Sequence, residues 1–297
     1  MDPRDTAPRP GISPGIGRRT LLGGLLAGAA TTAGLALMPG TAQAATGRVY
    51  RSGVTLRLGL ASPGLPYGGD AYLQTGATLG YSPVSATSYV AWSGGGDFPA
   101  SQAAAIAASG ATPVFTWEPW DPTAGVTQPL YRHSAITSGL HDTYITTWAK
   151  QIKAYGAPVV LRLMHEANGT WYPWAIGQNG NTAASYIAAW RRIVALFAKA
   201  GATNAEFRFT VNVDPAATMT RFEGFYPGNA YVGSVGIDGY NWGDTQAWSQ
   251  WTSFGDTFKA THKRMTALTT KPLHVDETGC PETGGDKAAW EIGRAHV

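Results

Sequence analysis

Two glutamates, Glu166 and Glu277, each end an apolar run of the kind that forms a buried strand. His165 directly precedes the first glutamate, and Asp276 directly precedes the second. Hydrolysis of a glycosidic bond needs two carboxyl groups with different tasks. One protonates the leaving oxygen, and in retaining enzymes the other attacks the anomeric carbon from about 5–5.5 Å away. A single glutamate after a strand is more often a neighbour of a helix N-cap or a surface charge, so the hypothesis depends on the pairing.

The residues around Glu166 favour a sugar site over a metal site. A zinc motif that starts at His165 would need a second ligand four residues later, where Gly169 stands. The following loop is rich in tryptophan and tyrosine, whose flat faces can stack on the C–H faces of sugar rings. His165 and Asn168 can hold sugar hydroxyl groups by hydrogen bonds. Because no motif implies a metal or an organic cofactor, we expect neither.

Alternating strand-like and helical runs would position these side chains. Strands are predicted at 55–62, 88–92, 112–117, 158–166, 206–214, 232–240 and 272–277, and helices at 99–109, 142–155, 183–200 and 254–268. Such alternation predicts parallel βα units whose strand C-terminal ends share one face. Seven strands in a domain of this size predict an α/β fold, a (β/α)8 barrel truncated after strand 7. A doubly wound sheet is the alternative, although no glycine-rich phosphate loop follows the first strand.

The charge balance argues against a strongly charged partner. The formal net charge is +3, but residues 1–44 contain four arginines and two acidic residues, so the rest of the chain is close to neutral. Nucleic acids and anionic membranes are therefore not expected as partners, and an uncharged polymer fits better. The single cysteine, Cys280, cannot form an intrachain disulfide. We expect a monomer.

Both ends of the chain carry segments outside the predicted barrel, which we place at 45–290. Arg18 and Arg19 precede a glycine- and alanine-rich apolar run and a cleavage site at Ala44. This pattern is typical of a bacterial twin-arginine export signal, so we expect a secreted protein with no membrane association after cleavage. Residues 291–297, when translated back, match the start of a common sequencing adapter, and we expect the natural gene to continue. An open barrel has two unpaired strand edges, which predicts poor solubility and little activity.

From about Leu56 to Trp290 the sequence closely resembles glycoside hydrolase family 26, the β-mannanase and lichenase-type family of the retaining barrel clan. The segments that carry the resemblance are RLMHEANGTWYPW at 162–174, YPG at 226–228, VGIDGYNW at 235–242 and KPLHVDETG at 271–279. The resemblance implies a (β/α)8 barrel in which Glu166 is the acid/base and Glu277 is the nucleophile.

The resemblance also implies roles for the neighbours of the two glutamates. His165 would position the sugar at the cleavage point, and Tyr240 would donate a hydrogen bond to the nucleophile. Arg162 would lie buried beneath the carboxylates, although a purely structural ion pair is the alternative. Family members often carry Ser-Pro-Asn where this chain reads TVN and ends at Asn212. The aromatic residues implied for the cleft are Trp171, Trp117 and Trp290.

The function that the resemblance implies is an endo-β-1,4-mannanase that cleaves β-mannan by double displacement. A β-1,3-1,4-glucanase or a xylanase that acts on a related plant cell-wall polysaccharide is the alternative within the enzymes. From another class, the chain could be a non-catalytic carbohydrate-binding protein that keeps an aromatic cleft. Retention of both Glu166 and Glu277 argues against that reading, because a decayed enzyme would be free to lose either residue.

Overall fold

The computed structural model describes residues 57–61, 78 and 82–293, with side chains up to Trp290. The export signal predicted at 1–44 lies outside the described residues, as does the end of the predicted adapter tail. No helix in the described part of the chain is long and apolar enough to cross a membrane.

Seven parallel strands form one curled sheet in which the strands follow chain order, from β1 to β7. The predicted barrel with seven of its eight strands is confirmed, and the doubly wound alternative is wrong, since a doubly wound sheet changes strand order. In the described residues β1 and β7 do not pair with each other. The strands are β1 (Leu60–Ala61), β2 (Ser85–Ala91), β3 (Thr112–Glu118), β4 (Val159–Leu163), β5 (Ala205–Asn212), β6 (Ser234–Tyr240) and β7 (Leu273–Gly279).

Helices connect the strands and cover the outside of the sheet. Four of them match the four predicted ranges to within one residue, and the two shortest lie outside those ranges. They are α1 (Ala100–Ala108), α2 (His133–Thr137), α3 (Asp142–Tyr155), α4 (Ala183–Ala200), α5 (Phe254–Leu268) and α6 (Lys287–Gly293). All of β4 and most of β3 and β5 are buried, as expected for parallel strands with helices on one face and a packed interior on the other.

Helix α4 shows how the local sequence sets these elements. Thr182 and Ser185 form a reciprocal capping box at its start, and Gly201 ends it with a left-handed φ of 76°. The apolar residues recur every three or four positions and so form one face, which packs against the sheet. The buried members of that face are Tyr186, Ala189, Trp190, Ile193 and Phe197.

One prediction wrongly placed Glu166 in strand β4. The strand ends at Leu163, and the chain then enters a turn in which Met164 and Glu166 have left-handed φ values of 45° and 52°. Two interstrand bonds hold the turn, because Met164 N donates to Trp117 O at 3.3 Å and Glu166 N donates to Thr210 O at 2.9 Å. Such a conformation is costly for a residue other than glycine, and it often marks a functional site.

Trp190 anchors α4 to the sheet, and its removal tests this packing. The side chain is fully buried, contacts the rings of Tyr186 and Phe209, and donates from Nε1 to Tyr231 O at 3.0 Å. We expect Trp190→Ala to lower the free energy of unfolding by about 3–5 kcal/mol in a denaturant titration, because it leaves a large cavity. The exposed Leu140 is the control, and Leu140→Ala should change stability by less than about 0.5 kcal/mol. Equal losses for the two variants would contradict this packing.

Candidate active site

Arg162 lies at the centre of the site, fully buried on β4. Its Nη1 donates to Glu277 Oε1 at 2.9 Å, and its Nη2 donates to Asp238 Oδ2 at 2.6 Å. Its Nε lies 3.5 Å from Asp276 Oδ2. One guanidinium therefore contacts three carboxyl groups from β6 and β7. A planar group with five fixed donors suits this task better than a lysine would.

A β-bulge in β7 allows two consecutive residues to face Arg162. Ile237 pairs with Val275, but the next residue, Asp238, pairs with Glu277, so Asp276 is the extra residue. Consecutive side chains of a regular strand point to opposite faces, and the bulge removes that restriction. Gly236 provides the space, since a Cβ there would lie 1.8 Å from Asp276 Oδ2.

Glu277 is held as an anion. Burial alone would raise its pKa, but Arg162, His165 and hydrogen bonds from Tyr240 and Tyr89 more than offset this and lower the pKa to about 2. The hydroxyl of Tyr240 donates to Glu277 Oε2 at 2.7 Å. A carboxylate that stays ionised and is fixed by donors on both oxygens has the properties of a positioned nucleophile.

Glu166 has a different environment from Glu277. It is 1% exposed, and its two oxygens accept hydrogen bonds from neutral groups: Asn212 Nδ2 at 2.5 Å and Trp171 Nε1 at 2.7 Å. Trp171 lies across Gly169, where a Cβ would come within 2.4 Å of the indole ring. Gly169 is thus required for the indole to reach Glu166.

Asn168 lies in the site, with its side-chain amide bonded to the backbone of β5. It is buried; its Nδ2 donates to Asn212 O at 2.8 Å, and its Oδ1 accepts from Asn212 N at 3.0 Å. This amide clamp fixes the end of β5 and so orients the side chain of Asn212 towards Glu166. Both ends of the Asn168 amide are thus bonded to backbone, and its role in holding sugar hydroxyls stays a prediction.

His165 lies beside both Asp238 and Glu277. One ligand atom from each of these three residues lies within 4.8 Å of the others, a spacing that a metal ion could also use. Arg162 already supplies a fixed positive charge between Asp238 and Glu277, so a divalent cation would be repelled there. The set therefore does not fit a metal. His165 Nε2 lies 3.1 Å from the hydroxyl of Tyr172, which fixes the imidazole ring.

Asp238 is a third carboxyl group of the site. Burial raises its pKa well above the usual range, and although Arg162 opposes this, the negative charges of Glu277 and Glu166 add to the rise. Asp238 had no predicted role of its own, although it lies in the segment VGIDGYNW that carries the family resemblance. Tyr89 was missed entirely, because an aromatic residue on an inner strand cannot be distinguished by sequence from one that packs in the core.

Two of the predicted cleft residues lie in packed interior. Trp117 is fully buried and stacks on Trp148 with ring centroids 5.0 Å apart. Trp290 is 4% exposed, contacts Phe254 and donates from Nε1 to Thr252 O at 2.8 Å. The structure therefore does not bring these two tryptophans to the site. It does bring together Arg162, His165, Glu166, Trp171, Tyr240 and Glu277.

Removal of the Arg162 charge should destabilise the fold strongly. In Arg162→Met, Asp238, Asp276 and Glu277 would remain buried together without their shared cation. We expect a loss of about 3–5 kcal/mol in the free energy of unfolding, measured by urea titration. Arg192→Met is the matched control, because its partner Asp142 and Arg192 itself are each 35% exposed, and its loss should stay below about 1 kcal/mol. Similar losses in the two variants would show that the buried cluster does not depend on Arg162.

Comparison with known proteins places this geometry in a family. The family model "Glycosyl hydrolase family 26" matches residues 134–279, a range that contains both glutamates. Endoglucanase H of Acetivibrio thermocellus is 42% identical over 205 residues, which cover 68% of this chain and 22% of the relative. The chain thus spans about a fifth of the length of that curated relative.

Solved structures of low identity share the fold. A mannanase from Bacillus subtilis has a TM-score of 0.58 at 17% identity, over 81% of this chain and 75% of that chain. A GH26 β-mannanase from Bacteroides ovatus has a TM-score of 0.51 at 19% identity, over 69% of this chain and 65% of that chain. The family model spans both carboxylates, and the segment 134–279 of this chain therefore belongs to glycosyl hydrolase family 26.

Proposed function

We propose that the chain is a retaining endo-β-glycanase with Glu277 as nucleophile and Glu166 as acid/base. The observation that carries the proposal is the contrast between the two glutamates. A buried guanidinium contacts Glu277, whereas the neutral amide of Asn212 and the indole of Trp171 contact Glu166. Acid and nucleophile chemistry requires two carboxyl groups in different surroundings, and these two glutamates have them.

The reaction would proceed in two displacements. Glu277 attacks the anomeric carbon while Glu166 donates its proton to the departing glycosidic oxygen, which leaves a covalent ester between the sugar and Glu277. Glu166, now ionised, accepts a proton from a water molecule that attacks the same carbon. The C–O bond to Glu277 breaks, the carboxylate is released, and Glu166 is protonated again. His165 and Tyr240 would hold the sugar and the nucleophile in place throughout.

The preferred substrate is proposed as β-1,4-mannan, with β-1,3-1,4-glucan as the second candidate. Solved mannanases support the first, although at 14–19% identity they share only the fold. The name of the 42% identical endoglucanase favours the second, although it describes a whole protein of which this chain covers 22%. Secretion through twin-arginine export remains part of the proposal, since a polymer of this kind cannot enter a cell.

Separate removal of the two carboxyls tests both the activity and the roles. The parent is expected to release reducing sugar from galactomannan or barley glucan, and xylan completes the panel. Glu277→Ala should lose at least roughly a thousandfold in kcat, because no nucleophile remains. Glu166→Ala should lose as much in kcat on polysaccharide. On an aryl glycoside with a good leaving group its loss in kcat should be far smaller, because that leaving group needs little protonation.

Added azide distinguishes the role of Glu166 from that of Glu277. In Glu166→Ala azide should replace water in the second displacement and give a β-glycosyl azide. In Glu277→Ala it should replace the nucleophile and give the α-product. Binding without any hydrolysis by the parent would favour the carbohydrate-binding alternative, and unchanged activity of Glu277→Ala would refute the nucleophile assignment.

The pH dependence tests the hydrogen bond from Tyr240. This bond lowers the pKa of Glu277. The nucleophile must be ionised, so kcat/KM falls as the pH drops through that pKa. We expect Tyr240→Phe to move the acidic limb of the profile upward by roughly one pH unit, because the charged form loses a donor. In the control Tyr226→Phe, the lost hydroxyl contacts Asn229 outside the site, and the limb should not move. Intrinsic fluorescence at each pH verifies that the protein remains folded, and an unmoved limb in Tyr240→Phe would contradict the assignment.

A further inference from the structure

Trp248 is the most exposed large apolar side chain in the described part of the chain, at 68%. It lies in the loop between β6 and α5, which we call the 241–253 loop. Its neighbour Trp251 is packed against the chain, since a Cβ at Gly285 would lie 2.3 Å from its indole. Of the three tryptophans in this loop, Trp242 and Trp251 are partly buried and Trp248 is presented to solvent. An exposed indole offers a flat apolar face on which a ligand ring can stack.

The 241–253 loop is held rigidly, so the exposed ring has a defined position. The buried Asn241 accepts hydrogen bonds at its Oδ1 from Gly243 N at 3.0 Å and from Thr252 N at 3.2 Å, which ties the two ends of the loop together. Ser249, next to Trp248, donates from Oγ to Gly243 O at 2.5 Å. A ring that is already ordered loses little conformational entropy when a ligand stacks on it.

A continuous series of aromatic rings joins Trp248 to the nucleophile. Tyr240, whose hydroxyl donates to Glu277, has its ring centroid 5.7 Å from that of Trp242. Trp242 in turn lies 6.0 Å from Trp248 in an edge-to-face arrangement. Successive ring contacts therefore link the Tyr240 side chain at Glu277 to the exposed Trp248.

We propose that Trp248, together with Trp242, forms a remote subsite that stacks on one pyranose ring of a polymeric substrate. The inference rests on the proposed endo-glycanase function and adds a binding position that neither glutamate contacts. An uncharged sugar is the occupant that fits, because a flat indole matches the C–H face of a pyranose ring. The subsite would favour long chains over short ones.

The test compares substrates of two lengths, of whichever linkage the parent cleaves. For each variant, kcat/KM is measured on a hexasaccharide and on an aryl disaccharide too short to reach Trp248. The ratio of interest is kcat/KM on the hexasaccharide divided by kcat/KM on the aryl disaccharide. We expect Trp248→Ala to lower this ratio roughly tenfold. Trp248→Phe should restore most of the ratio, because it keeps a flat ring. Leu130→Ala, which removes another exposed apolar side chain, should keep the parent ratio.

A binding measurement separates failure of the subsite from failure of the proposed function. Calorimetry with the hexasaccharide compares Glu277→Ala with the double variant that also carries Trp248→Ala, and it needs no turnover. Affinity roughly tenfold weaker in the double variant supports the subsite. Equal affinity, or an unchanged length ratio in Trp248→Ala, overturns it. A parent that cleaves no polysaccharide but whose binding depends on Trp248 would refute the enzyme function alone.

Discussion

The arrangement of the site depends on the buried charge of Arg162. Asp238, Asp276 and Glu277 lie close together in the interior, and like charges at such distances would repel each other strongly. The guanidinium contacts all three. Three other features of the sheet exist around this contact: the bulge at Asp276, the missing side chain at Gly236 and the second cation, Arg208.

Arg208 extends the charge network away from the two glutamates. Its Nη1 donates to Asp276 Oδ1 at 2.7 Å, and the two arginines together lower the pKa of Asp276 despite burial. Asp276 thus stays ionised and contributes a negative charge that Arg162 partly balances. Because Asp276 is bound from the far side, the guanidinium of Arg162 remains directed at Glu277 and Asp238. Asp276, the strand neighbour of the proposed nucleophile Glu277, therefore has a structural part in the network, which its position in the sequence alone could not reveal.

The features that local sequence patterns determine, such as helix boundaries, were predicted correctly. The helices at Asp142–Tyr155, Ala183–Ala200 and Phe254–Leu268 were predicted within a residue, because apolar spacing and caps are local signals. The end of β4 was not, since the left-handed turn at Glu166 is held by carbonyl groups of Trp117 and Thr210 on neighbouring strands. Contacts between distant residues determine such a turn. The same reason explains why the sequence could not reveal the backbone hydrogen bonds of Asn168.

The cost of the buried network argues for its function. Charges buried in an interior are paired at considerable desolvation cost, and apolar residues of similar volume are often equally or more stable. Stability alone would thus not select Arg162 with three carboxyl groups. The network does maintain what apolar packing could not: an ionised Glu277 with a pKa of about 2 beside a Glu166 that neutral donors hold. The different surroundings of these two carboxyl groups therefore explain why the fold keeps a buried network that is costly in desolvation. The strained turn at Glu166 has the same explanation.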